Sequence, residues 1–228
     1  MVFILGISGG IFADQILWPY FIERPLFYQY RLNQPPVYVT ERNEIRIEEN
    51  TALQDAVEKV KNSVIRIQTK TKNGKALDGS GLVVTSDGLI VTFSDLIPQG
   101  GTFSFFANNK LSSYQVLKRD PKENLALVKL EEKNLPTVAF ADLDKLRLGE
   151  RVFLVAAVKS PSEGWLVNEG VIKTFDKDFI QTNIFEKNLA KSSPLFNIKG
   201  EALGLNAVGS SGQVQTLPIK KIRDFIGF

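Results

Sequence analysis

The spacing of apolar residues changes from a helical period to a strand period early in the chain. Leu53, Val57 and Val60 recur on one face, which predicts a short amphipathic helix at about Leu53–Lys61. Apolar residues then alternate in short runs between Val64 and Leu217, and Gly, Pro, Asn and Asp separate these runs. The helical period returns only at the carboxyl end. The pattern predicts an all-β domain with a short helix at either end.

Residues 1–22 are almost uninterruptedly apolar, and Asp14 is their only charged side chain. A helix needs about 20 apolar residues to span a bilayer, and Trp18 and Tyr20 suit the membrane interface. Asp14 and Pro19 disfavour a spanning helix, since a carboxylate inside a bilayer is costly. A transmembrane anchor is the favoured interpretation, with a cleaved signal peptide or a packed or interfacial helix as alternatives. No basic residue flanks the start of the segment, so its orientation stays open.

A polar, Pro-rich stretch follows. Residues 23–50 contain Pro35 and Pro36, which force extended backbone on their neighbours. The Val and Ile residues near the end of this stretch favour an ordered extended arm over a loose linker. The predicted organisation is therefore an anchor at 1–22, an extended linker or arm at 23–50 and a folded domain at 51–228.

Composition excludes several kinds of chemistry. The 228 residues contain no Cys and no His, which excludes disulfides, thiolate nucleophiles, an imidazole base and zinc sites built on sulfur or imidazole. The 28 basic and 25 acidic residues are interleaved and give a net charge of +3, which is typical of a solvated surface rather than a nucleic-acid patch. We therefore expect no cofactor, no metal site and no nucleic-acid partner.

Five stretches carry a family resemblance. They are, in order, GSGLVVTSDGLIVT (79–92), RDPKENLALVKL (119–130), DLDKLRLGERVFLVA (142–156), IQTN (180–183) and SPLFNIKGEALGLN (193–206). In this order they resemble the signature segments of the HtrA (Deg) family of trypsin-like serine proteases. The resemblance covers roughly residues 51–228. It implies a chymotrypsin-type double β-barrel, split near residues 135–150, with the family's active site in the cleft between the barrels.

The resemblance also locates the family's catalytic triad. Its base, orienting acid and nucleophile positions are occupied here by Asp95, Asn124 and Lys191. An ordinary Asp is a weak base, Asn carries no charge, and Lys places a cation where an alkoxide would form. Leu189 and Ala190 replace the Gly and Asn of the turn whose N–H groups bind the oxyanion. The resemblance therefore predicts a degenerate site with no intact catalytic residue.

The two charged replacements lead to a hypothesis about geometry. The family arrangement places Asp95 and Lys191 opposite each other across the cleft, so we expect an ion pair between them. The alternative is independent drift, with the two side chains solvated separately. A partly buried pair further predicts that replacing either residue alone by Ala destabilises the protein more than replacing both.

The degenerate site predicts an inactive homologue, a pseudoprotease that binds an extended peptide or an envelope protein through strands beside the cleft. One alternative is an active endopeptidase in which Lys191 serves Ser192 or Ser193 in a non-standard mechanism. Neighbouring residues usually point apart, which disfavours Lys191 as their base. Another alternative is a purely structural domain whose cleft is filled by Leu189 and Phe93.

The apolar segment and the resemblance together predict where the protein works. We expect a single-pass protein of the bacterial cell membrane, held by residues 1–22, with its globular domain outside the cytoplasm. Family members often form trimers through an amino-terminal arm, so a homo-oligomer is expected from the resemblance alone. The sequence ends at Phe228, and we therefore expect no carboxyl-terminal PDZ domain of the kind that many family members carry.

Overall fold

The chain forms two compact units, Met1–Arg46 and Ile47–Phe228. The computed structural model describes residues 2–18, 20, 49–159, 164–187 and 190–227. Leu189 and most of the predicted arm at 23–50 lie outside the described residues.

The described part of the first unit is helical. Helix α1, Val2–Phe12, continues as a π-helical turn, Ala13–Leu17, and this turn contains Asp14. The large apolar side chains of these residues are exposed, from 78% at Phe3 to 41% at Leu17. Among the described residues, no helix is both long and apolar enough to cross a membrane, and the predicted single-pass anchor is therefore not confirmed.

The second unit has a helix at either end of a β-rich region. Helix α2, Glu49–Val60, starts earlier than the predicted Leu53 and is followed by a 3-10 turn, Lys61–Ser63. Helix α3 is Ile219–Ile226. The strands are β1 Val64–Lys70, β2 Ala76–Val83, β3 Leu89–Phe93, β4 Thr102–Ala107, β5 Lys110–Ser112, β6 Tyr114–Asp120, β7 Leu125–Leu130, β8 Arg151–Ala157, β9 Trp165–Phe175, β10 Ile180–Phe185, β11 Pro194–Asn197, β12 Ala202–Val208 and β13 Gln213–Pro218. The predicted all-β class is confirmed.

Strands β1 to β7 form an antiparallel sheet in the order β5-β4-β1-β2-β3-β7-β6. Its outermost strands, β5 and β6, are separated in sequence by Ser113 alone, whose carbonyl accepts the N–H of Glu131 at 3.0 Å. Chain continuity therefore brings the two edges together and curls the sheet into a barrel-like shape. Ile67, Ile90 and Phe105 are fully buried in its interior.

Strands β8 to β13 close a second barrel in the order β10-β13-β12-β11-β8-β9. Leu154, Leu195 and Val214 are fully buried inside it. The chain passes from the first sheet to this barrel between Leu130 and Arg151. Two barrel-like sheets are the architecture that the family resemblance implied, and that prediction is confirmed.

A third apolar cluster joins the two sheets to each other. Leu82 and Leu125 of the first sheet belong to the same buried cluster as Phe153 and Phe196 of the second, whose rings lie 5.5 Å apart. Helices α2 and α3 cover this cluster with Ala56, Val60, Ile219, Ile222 and Phe225. Because burial of apolar area drives association, this cluster sets how one sheet sits on the other.

The charged face of α3 also links the two sheets. The Lys221 Nζ atom lies 2.8 Å from Asp178 Oδ1 and 3.7 Å from Glu123 Oε2. Asp178 belongs to the turn between β9 and β10, and Glu123 to the turn between β6 and β7. The hydrogen bond from Lys221 holds the pKa of Asp178 below its ordinary value, and the same bond raises the pKa of Lys221. One ammonium group thus holds a carboxylate from each sheet.

Replacing Lys221 by Met should remove a pH-dependent part of the stability. Because the folded pKa of Asp178 lies below its unfolded pKa of about 3.9, the contact stabilises the fold above that pH and loses its effect as the pH falls through the folded pKa. The advantage of wild type over Lys221→Met in urea unfolding should be steady near neutral pH and shrink below about pH 4. Lys220→Met, on the exposed neighbouring residue, is the control. An identical pH profile for both variants would contradict the prediction.

Candidate functional site

The three predicted triad positions lie next to the ends of three strands. Asp95 follows β3, in a turn that is anchored by the fully buried Leu96 and Ile97. Asn124 directly precedes β7, which pairs with β3. Lys191 lies in the turn before β11 of the second barrel. Two positions therefore come from the first sheet and one from the second.

Asp95 and Lys191 meet in an ion pair. The Lys191 Nζ atom lies 2.7 Å from Asp95 Oδ2, and the two side chains are 29% and 47% exposed, respectively. The predicted contact is confirmed, and the alternative of two separately solvated side chains is wrong. Because both side chains keep part of their hydration, loss of one partner would leave the other in contact with water. The expectation that a single replacement costs more than the double one stays a prediction, and this partial exposure limits the expected difference.

Asn124 has a positioning role that the sequence did not indicate. Its Oδ1 atom accepts hydrogen bonds from the Ser94 hydroxyl at 2.9 Å and from the Asp95 backbone N–H at 3.0 Å. Its carbonyl oxygen accepts the Ser94 N–H at 3.0 Å, and its φ of 54° lies in the left-handed region that Asn tolerates. Asn124 therefore holds the backbone of the Asp95 turn rather than the Asp95 side chain.

The Lys191 turn packs closely on strand β2 of the first sheet. The Lys191 carbonyl accepts the N–H of Ser80 at 3.0 Å. A Cβ on Gly79 would lie 2.7 Å from that carbonyl oxygen, so this approach requires Gly. Ala190 is fully buried in the core of the second barrel and supports the turn from inside. Leu189 lies outside the described residues, so the altered oxyanion turn stays a prediction.

Ser192 bridges the two sheets from a left-handed backbone conformation. Its φ is 57°, and its side chain is fully buried. The Ser192 Oγ atom accepts the Phe93 N–H at 2.9 Å and lies 2.9 Å from Thr92 Oγ1. Thr92 donates its own hydroxyl proton to the Ser80 carbonyl, so Ser192 is the donor to Thr92. The sequence did not predict this bridging role of Ser192.

Ser193 belongs to a second buried set of polar groups. Its Oγ atom accepts a hydrogen bond from Asn206 Nδ2 at 3.1 Å, and Asn206 Oδ1 accepts one from the Thr216 hydroxyl at 2.6 Å. Ser193, Asn206 and Thr216 are all fully buried. The structure therefore does not bring either predicted serine nucleophile to the surface, and the Lys191 ammonium is bonded to Asp95 instead.

The chemistry available to these groups is limited. A general base needs a lone pair within reach of a substrate proton, and a Ser or Lys nucleophile must be able to lose its own proton. The Asp95 carboxylate is occupied by an ammonium group, and the Ser192 and Ser193 hydroxyls are enclosed. In the part of the chain that the structure describes, no group of three Asp or Glu side chains is placed to hold a metal ion.

Comparison with protein families and solved structures agrees with this architecture. A family model described as "Trypsin-like peptidase domain" matches residues 79–205, a span that contains all three predicted triad positions. A solved structure, "HtrA-type protease AlgW with tripeptide", has a TM-score of 0.68 to this chain at 20% identity and covers 77% of this chain and 62% of that one. At this identity the structural likeness shows the fold alone.

Two curated relatives are named as serine proteases. A "Probable periplasmic serine endoprotease DegP-like" of Pseudomonas putida is 32% identical over 139 residues, which are 57% of this chain and 28% of that protein. "Serine protease HTRA1A" of Danio rerio is 29% identical over 228 residues, which are 86% of this chain and 47% of that protein. The chain thus spans less than half the length of either relative.

A double-mutant cycle should measure the coupling between Asp95 and Lys191. We expect Asp95→Ala and Lys191→Ala together to cost about 0.2 to 1 kcal/mol less than the sum of the single replacements, because the pair is partly exposed. Urea unfolding of the four proteins at low ionic strength gives the coupling. The coupling should decrease in 0.5 M salt, on account of screening. Additive single effects at low ionic strength would show that the contact is absent in solution.

Ser192 allows a second stability test with a matched pair of variants. Ser192→Ala removes the acceptor of the buried Phe93 N–H and should cost about 1 to 3 kcal/mol. Ser192→Gly loses the same bond but relieves the left-handed backbone, so it should be about 1 kcal/mol more stable than Ser192→Ala. Chemical unfolding gives the ranking wild type, Gly, Ala. A wild-type midpoint for Ser192→Ala would contradict the bridging role.

Proposed function

The chain belongs to the trypsin-like peptidase domain family, and we propose that it is an inactive member, a pseudoprotease that binds a peptide or a protein. The observation that carries this proposal is the 2.7 Å ion pair between Lys191 and Asp95 at two of the three triad positions. In an active trypsin-like protease these positions hold a hydroxyl and the imidazole that takes its proton. Here the two positions hold an ammonium group and a carboxylate, whose charges neutralise each other.

The loss of all three triad functions leaves little residual chemistry. Lys191 carries a charged ammonium where the nucleophile belongs, and Asn124 provides no negative charge. The side-chain oxygen of Asn124 binds the Asp95 backbone, so it is not directed at a catalytic base. Loss of a complete triad costs on the order of a million-fold in rate. These features support a protein whose turnover is indistinguishable from background.

The burial of Ser192 and Ser193 also supports inactivity, because it disfavours a mechanism in which Lys191 activates one of these serines. An endopeptidase using either serine would need the hydroxyl to face a bound peptide and a base to accept its proton. Both residues are fully buried, and each hydroxyl has a hydrogen-bond partner inside the protein. A Lys/Ser mechanism would require this buried polar network to open.

The family relationship also supports a binding role outside the cytoplasm. The Pseudomonas putida relative is described as periplasmic, and the AlgW structure is described as one with a tripeptide. We propose by analogy that the present domain is extracytoplasmic and that it retains recognition of an extended peptide or an envelope protein. Assembly into a homotrimer stays a prediction from the family resemblance.

Attachment to a membrane through residues 1–22 is part of the proposal. Its support is the almost uninterrupted apolar sequence and the exposure of the side chains that α1 presents, such as Ile4 at 70% and Ile11 at 59%. Apolar side chains left in water at this density are typical of a segment that enters a lipid phase or its interface.

The proposal of inactivity is tested by incubating the full chain with unfolded casein and with an active-site-directed phosphonate probe. We expect neither cleavage above the buffer level nor labelling, because no activated nucleophile is available. An active DegP-like relative at the same concentration is the positive control.

If a trace of cleavage is seen, Ser192→Ala and Ser193→Ala are the matched variants that show whether this chain or a contaminant causes it. Cleavage that persists in both variants comes from a contaminating protease. Cleavage or probe labelling that disappears in one of them would overturn the proposal and assign the nucleophile.

The membrane proposal is tested with chains that contain or lack residues 1–22. The full chain should sediment with membranes and resist a high-salt wash, and the truncated chain should stay in the supernatant, because salt does not weaken apolar insertion. Equal partitioning of both chains into the supernatant would contradict it.

A further inference from the structure

A groove opens between the two sheets beside the degenerate site. Its cavity volume is about 370 Å³, and Asn124 forms part of its wall. Phe93 of the first sheet and Phe179, Ala207 and Leu217 of the second line it with apolar surface. We call this cavity the inter-barrel groove. Cavities of this size are in the range that takes a large side chain together with a short length of backbone.

Two carboxylates flank the inter-barrel groove, one from each sheet. Glu123 and Asp178 both line it, and Lys221 of α3 is the ammonium that they share. The ammonium is held by Asp178 at 2.8 Å, whereas its distance to Glu123 is 3.7 Å. Glu123 is also 50% exposed, so its carboxylate is accessible to a ligand in the groove.

The acidic character continues into the neighbouring cavity. That cavity, of about 360 Å³, shares Glu123 with the groove and adds Asp120 and Asp224. Lys118 also lines it, but its ammonium donates to the Phe225 carbonyl at 3.0 Å and lies over the Phe225 ring. Together the two cavities are lined by four carboxylates and two ammonium groups, in a chain whose overall charge is +3.

We propose that the inter-barrel groove binds an extended peptide segment that carries a large apolar side chain next to a Lys or Arg. The apolar side chain enters between Phe93, Phe179 and Leu217, and the neighbouring cation approaches Glu123. Charge complementarity of this kind favours the correct partner mainly by rejecting anionic ones. The inference rests on the proposed binding function and gives it a site and a partner chemistry.

Charge argues for a peptide over other occupants. Nucleic acid and anionic lipid would bring negative charge to Glu123, Asp120 and Asp224, which is unfavourable. A purely apolar ligand would leave the charge of Glu123 unused. A peptide with an apolar and a basic side chain matches both the apolar lining of the groove and the carboxylates that flank it.

The test uses fluorescently labelled nonapeptides with Gly-Ser flanks around a central pair of residues, and the full chain in a mild non-ionic detergent. The central pair is Phe-Lys in the test peptide, Phe-Glu in the charge-reversed peptide and Ser-Lys in the peptide without an apolar side chain. We expect fluorescence anisotropy to show saturable binding of the Phe-Lys peptide and at least about tenfold weaker binding of the other two.

Two variants then locate the site. Ala207→Leu fills the groove with extra side-chain volume and should weaken Phe-Lys binding by about tenfold or more. Glu123→Gln removes the exposed charge and should weaken it by about two- to fivefold, as expected for a partly exposed charge contact. Glu131→Gln, an exposed carboxylate outside both cavities, is the matched control and should bind like wild type. Unfolding midpoints show that each variant is folded.

The outcomes separate this inference from the proposed function. Equal binding of the Phe-Lys and Phe-Glu peptides, unchanged binding by Ala207→Leu, or no binding up to millimolar concentration would overturn the inference and leave inactivity untouched. Hydrolysis of a bound peptide would instead overturn the proposed inactivity. The effect of Ala207→Leu and Glu123→Gln on peptide binding would still test the groove.

Discussion

The arrangement of the site depends on one contact, the packing of the Lys191 turn against the first sheet. The backbone N–H groups of Ser80 and Phe93 lie between the two sheets, and this turn satisfies both of them, through the Lys191 carbonyl at 3.0 Å and the Ser192 hydroxyl at 2.9 Å. A buried N–H without a partner costs about 1 to 3 kcal/mol, so the sheets pack well only with the turn in this place. The half-exposed pair of Lys191 with Asp95 is therefore a consequence of the packing and not its cause.

The groups that hold the turns of the site are different from the groups of a catalytic triad, so the fold can persist without an intact triad. The turn is held by backbone groups, by the hydroxyl of Ser192 and by the close approach of Gly79. Asn124 likewise supports the Asp95 turn through its own amide oxygen. None of these contacts requires an imidazole, a carboxylate relay or a serine at position 191. Membership of a protease family is therefore compatible with loss of proteolysis, because the fold and the site depend on different atoms.

The junction between the sheets also forms the groove in which we propose that a peptide binds. The inter-barrel groove lies between two sheets that the shared apolar cluster joins and that α3 covers. Lys221 holds Asp178 and Glu123, which come from different sheets, at the edge of that groove.

Local pattern was sufficient for the all-β class and for both terminal helices, because alternation and helical periods report directly on which face of an element is buried. Ordered motifs predicted the triad positions, and the charges of Asp95 and Lys191 were enough to predict their contact. Only the tertiary structure decided that this pair is half exposed, that Asn124 holds a backbone turn, and that Ser192 is a buried bridge. Burial and hydrogen-bond partners depend on which segments meet across the two sheets, and contacts between residues about 100 positions apart leave no periodic trace in the sequence.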